Sequence, residues 1–162
     1  MKILLTINDL VNKISKYILI VMFALITVVY SSQIISRYFF SSGLHWSEEF
    51  VRYVDVAMVV LGAAVLARKN GHVNVSALES VVPQDKLKYL LLIQNILTIT
   101  FFGISIVLGL QFMDLAGTQI STNMRIPMKL VYSIFPISYI ILVFNAIMFI
   151  LVDLFNIGKE VQ

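Results

Sequence analysis

The chain has 162 residues, of which 59% are hydrophobic and 13% charged, with a formal net charge of +3 and a mean hydropathy of +0.92. Soluble domains carry about 25% charged residues, so this chain is built for lipid rather than water. It contains no cysteine and two histidines, which excludes disulfides, thiolate metal sites and cysteine nucleophiles and leaves little for imidazole ligation.

Residues 1–16 are weakly amphipathic, too polar for a signal-peptide core, and the apolar run after them leads into Ser31-Ser32-Gln33 rather than a small-residue cleavage site. They read as a cytoplasmic interfacial lead-in helix before a retained first span. A hydrocarbon core of ~30 Å asks for about 20 apolar residues per helix, and four stretches meet that length: roughly 17–40, 47–67, 89–113 and 130–152. Gly71, the Pro83-Gln84-Asp85 turn and the polar stretch 114–127 separate them. Residues 72–82, too short to span, read as an interfacial segment between the second and third spans. Pro136 should kink the fourth span without breaking it. The expected fold is all-α, a single transmembrane domain over 1–162 built as a bundle of four helices.

Eight of the twelve basic residues (Lys2, Lys13, Lys16, Arg68, Lys69, Lys86, Lys88 and Lys159) fall on the side of the N-terminus; Arg37, Arg52, Arg125 and Lys129 fall opposite. By the positive-inside rule both termini are cytoplasmic, and the 41–46 and 114–127 loops face outward.

The second span opens on His45-Trp46-Ser47-Glu48-Glu49-Phe50-Val51-Arg52-Tyr53. Trp46 is an interface anchor, Ser47 a potential N-cap and Glu48 and Glu49 first-turn acids favoured by the helix dipole. Arg52 lies four residues after Glu48 and three after Glu49, within reach of either. A short hairpin brings Arg37 alongside. Two acids balanced by two arginines at a helix mouth suit a structural ion-pair network of Arg37, Glu48, Glu49 and Arg52 better than a proton or cation relay, which places its acids deeper. Asp55, about two turns inside, is the exception.

Haem between the helices is excluded: His45 and His72 are 27 residues apart, about 40 Å along a helix. Gly62 and Ala63 in the second span, and Ser105-x-x-x-Gly109 in the third, have the small-residue spacing of close helix packing. The sequence contains no P-loop, nucleophile elbow or metal-ligand cluster, and neither a broken helix nor a repeated half of the kind that marks a transporter core. Nothing supports an enzyme, a cofactor or nucleic-acid binding.

Arg37-Tyr38-Phe39-Phe40, Trp46 to Tyr53, Leu61-Gly62-Ala63-Ala64, Arg68 with His72, Ile126-Pro127, and Tyr132 with Pro136 together resemble the small membrane subunit of tripartite ATP-independent periplasmic (TRAP) transporters. The resemblance covers nearly the whole chain and departs at Val56-Ala57-Met58, where the family pattern implies a tryptophan. It implies a bacterial inner-membrane scaffold, pairing with a large transport subunit that carries the sodium and substrate sites. It also implies a periplasmic substrate-binding protein that delivers an organic acid such as a dicarboxylate or sialic acid. Asn123 and Arg125, in the outward 114–127 loop, are the residues expected to help dock that protein. The competing reading is a self-sufficient four-helix exporter acting as a homodimer, with Asp55 as its working acid.

Overall fold

The computed structural model describes residues 2–40, 43–68 and 83–154. Helix α1 runs Lys2–Phe40, α2 His45–Ala67, α3 Gln84–Ala116, α4 Met128–Tyr132 and α5 Ile134–Phe149, with a π-helical turn Ile150–Leu154 closing the last span. Four helical segments, Ile3–Phe39, His45–Ala67, Lys86–Ala116 and Met128–Val152, are long and apolar enough to cross a membrane. The protein is an all-α membrane bundle. Among the described residues its only β pairing is a single bridge, Ile120 to Pro127. The expected interfacial segment at 72–82 lies outside the described residues.

Helix α5 is the most apolar and most buried of the four spans, and α1 the least buried. The inward stripe of α5, Ser138, Leu142, Asn145, Ala146 and Met148, follows helical spacing. The core forms where Leu142 meets Ala64 and Ala67 of α2, flanked by Ala63, Phe102 and Ile141. Small residues on α2 let the backbones approach, as lipid-embedded helices require.

Two expectations change and one holds. Residues 2–16 are not a separate lead-in, because α1 is continuous over 39 residues, about 58 Å. The fourth span is continuous over Met128–Val152, as expected: Ser133, between α4 and α5, keeps helical dihedrals, and Ser133 N–H and Ile137 N–H donate four residues back to the Lys129 and Ser133 carbonyls at 3.1 and 3.3 Å. Pro136 has no N–H to give the Tyr132 carbonyl, and its ring crowds the preceding turn, so the helix is irregular at Ser133 without breaking. Ser47 is not an N-cap; α2 starts at His45 behind an extended Leu44, and Ser47 Oγ donates to the Leu44 carbonyl at 2.6 Å.

The small residues divide as well. A Cβ on Gly109 would sit 3.4 Å from Pro136 Cδ, so glycine lets α3 close on the bend in the fourth span. Ala63 flanks the core, and Ser105 donates to the Phe101 carbonyl of its own helix at 2.9 Å. Gly62 was expected to pack but faces open space, since a methyl group added at its Cα would meet nothing within 4 Å. Ala57, Leu61, Ala64 and Ala67 form the packed face of α2 instead.

Candidate functional site

The polar groups of the bundle gather at its two ends. At the end formed by the start of α2 and the α3–α4 loop, Glu49 is buried, and its carboxylate is held from four directions. Thr122 N–H donates to Oε1 at 3.2 Å. Asn123 N–H and Met124 N–H donate to Oε2 at 2.9 and 2.8 Å. Tyr53, one helical turn along α2, donates its hydroxyl to Oε1 at 2.7 Å. Successive backbone amides turned inward make a concave anion nest, and here its anion is a side chain of the same protein.

The loop is shaped to present those amides. Ser121 N–H donates to the Ile126 carbonyl at 2.9 Å and Met128 N–H to the Gln119 carbonyl at 2.9 Å, while Ile126 N–H donates to Ser121 Oγ at 3.1 Å. Between these closures the chain reverses, and Arg125 takes φ +53°, the left-handed region uncommon for a residue with a side chain. Asn123 and Arg125 are both exposed. Trp46 is 42% exposed and meets Phe50 edge-to-face, with centroids 6.1 Å apart.

Glu48 points elsewhere. Gln33 Nε2 on α1 donates to its Oε1 at 3.3 Å, and it shares with Arg37, Arg52 and Asp55 a cleft of about 490 Å³ between α1 and α2. Ion pairs join Arg68 to Asp9 at 3.4 Å and Lys129 to Asp114 at 3.5 Å, but among the described residues none forms within the expected network of Arg37, Glu48, Glu49 and Arg52. Helix geometry leaves Arg52 within reach of both acids, but the loop amides and Tyr53 claim the Glu49 carboxylate. Glu49 takes the loop side, and the other three residues line a cleft without closing to contact.

The second polar centre lies at the other end of the bundle, where no local sequence motif marks it. Asn8 and Asn12 of α1 donate their amides to Asn145 Oδ1 at 2.7 and 2.8 Å. Asn145 Nδ2 donates to Asn12 Oδ1 at 3.1 Å and to the Ala64 carbonyl at 2.7 Å. That carbonyl lies in the last turn of α2, where Arg68 N–H turns to Val65 instead at 3.3 Å. Asn145 thus caps α2 from α5 while bonding to α1. All three asparagines are buried.

A family profile described as tripartite ATP-independent periplasmic transporters, DctQ component, matches residues 26–156. The chain belongs to this family. It is 28% identical over 156 residues to a Haemophilus influenzae protein provisionally named TRAP transporter small permease protein, covering 91% of this chain and 90% of that one. It is 27% identical over 137 residues to the sialic acid TRAP transporter small permease protein SiaQ of Vibrio cholerae, 79% of each chain. A third relative, the sialic acid TRAP transporter permease protein SiaT of Haemophilus influenzae, is 27% identical over 137 residues. That match takes in 85% of this chain and only 22% of SiaT, so the similar segment there is part of a much longer polypeptide. As a TRAP small permease subunit the chain is a transporter component, not an enzyme. Its small-permease relatives imply a large permease partner.

Proposed function

We propose that this chain is the non-catalytic scaffold subunit of a sodium-coupled secondary importer of organic acids, of dicarboxylate or sialic acid type. It pairs with a large permease in the bacterial inner membrane and helps seat a periplasmic substrate-binding protein. The observation that carries this reading is the fate of Glu49. The buried acid at the mouth of α2 is consumed by three backbone amides and a phenol of the same chain, so it braces a loop rather than waiting for an ion or substrate. Sodium and substrate then belong to the partner, and the chain needs no cofactor of its own. The outward apolar surface of α1 offers the large subunit or lipid a long face. Both termini lie in the cytoplasm, and the braced 117–127 loop stands on the periplasmic side with Asn123 and Arg125 toward the binding protein.

Reconstitution tests this. The purified chain alone should give no sodium-driven uptake of any organic acid; uptake should appear once the large permease and the binding protein are added. Uptake by the chain alone, lost in Asp55→Asn, would overturn the scaffold reading in favour of the homodimeric exporter.

A further inference from the structure

At the end of the bundle opposite the Glu49 nest, α1 and α2 form an open cavity of about 300 Å³ lined by Asp9, Asn12, Lys13, Lys16 and Arg68. Three cations and one carboxylate converge there from two helices, a local formal charge of +2. Asp9 is engaged with Arg68 at 3.4 Å. Lys13 and Lys16 are exposed and form no ion pair among the described residues. The level of the cluster is set by its neighbours. From Tyr17 to Ser36 α1 carries no charged residue, and neither does α2 from Val56 to Ala67. Lys16 and Arg68 therefore stand at the same edge of the hydrocarbon layer, each one residue outside an uncharged run.

We propose that this cavity binds the phosphodiester headgroup of an anionic phospholipid. Ammonium groups at an interhelical pocket on the membrane surface attract phosphate strongly, and basic pockets of this placement are suited to anionic headgroups. Lysine is a capable phosphate binder acting as a point charge. The apolar α1 surface beyond Tyr17 continues directly from the cluster and accommodates the acyl chains of the same molecule. A free phosphate would satisfy the charges but gain nothing from that surface.

Native mass spectrometry of the delipidated full chain in detergent tests the site, with phosphatidylcholine, phosphatidylglycerol or cardiolipin added in turn. Phosphatidylglycerol and cardiolipin should be retained in preference to phosphatidylcholine. Lys13→Gln with Lys16→Gln should cut that preference on the order of ten-fold, two surface charges being lost. Lys86→Gln, a lysine at the start of α3 outside the cluster, should leave it unchanged. Unaltered helical circular dichroism in each variant confirms that folding is intact. Equal retention of the neutral and anionic lipids would overturn the proposal, as would a loss in Lys86→Gln matching that in the double variant. Displacement of the bound lipid by excess inorganic phosphate would reassign the cavity to free phosphate and sink the lipid assignment.

Discussion

Glu49 shows how one side chain can organise a loop with no regular structure of its own. Its two oxygens receive four donors, and charge-assisted hydrogen bonds of this kind are about twice as strong as neutral ones. Glu49→Gln keeps the shape but replaces one acceptor by a donor facing donors. Amide hydrogen exchange at Thr122, Asn123 and Met124 should then quicken by an order of magnitude or more, with α1 and α5 unaffected. Tyr53→Phe, which removes one of the four, should produce a smaller change confined to the same residues. Unchanged exchange in Glu49→Gln would show that the loop holds itself. The sequence displayed Glu49 as one of a pair of acids near an arginine, and i, i+3 spacing made that pairing plausible. Which way each of two adjacent carboxylates turns depends on the α3–α4 loop, 73 to 75 residues away, and local spacing carries no information about that. Ser121, whose hydroxyl serves the loop backbone, gave no local signal either.

At the level of the elements, the four spans were legible because hydrophobic length is a one-dimensional property, and Trp46, Pro83 and the polar stretch 114–127 punctuate it. The continuity of α1 was not. Its first sixteen residues look like a surface helix when judged by hydropathy. The usable signal was positional: Asn8, Asn12 and Ser15 recur at i, i+4 and i+7 and form one helical stripe, and all three are buried. Asn145 is the residue on which α1, α2 and α5 converge. Asn145→Leu should lower the unfolding free energy in detergent by about 2 kcal/mol, since each buried polar group left unpaired costs about 1–3 kcal/mol while single hydrogen bonds between membrane helices average only about 0.6 kcal/mol. Asn8→Leu, which removes one donor and leaves the Asn12 and Ala64 contacts intact, should cost less. Equal, negligible effects in both variants, measured by thermal unfolding, would mean that the cluster does not hold the bundle together.

For the whole molecule, the two polar centres sit at opposite ends of the bundle, the Glu49 nest at one and the asparagine cluster with Arg68 and Asp9 at the other. Their separation sets the axis along which the protein crosses the bilayer. The eight-to-four distribution of basic residues predicts an orientation with the nest outside. Because the chain lacks cysteine, single cysteines report cleanly on this. Thr118→Cys should react with an impermeant maleimide in intact spheroplasts, and Thr6→Cys should react only after lysis. The reverse pattern would invert the orientation and place the 117–127 loop out of reach of any periplasmic protein.

The asparagine cluster also carries a schedule. Asn8 and its acceptor Asn145 are 137 positions apart in the chain. A ribosome adding about 5–20 residues per second needs roughly 7–27 s to make the second after the first. Throughout that interval the amides of Asn8 and Asn12 have been synthesised but their acceptor has not, and the last turn of α2 lacks its cap. The lipid-inserted first hairpin therefore waits with its polar groups turned to headgroups, water or the insertion machinery, and the bundle locks only once Asn145 has been made. A nascent chain halted before Asn145 would present the same unsatisfied amides for as long as it lasts.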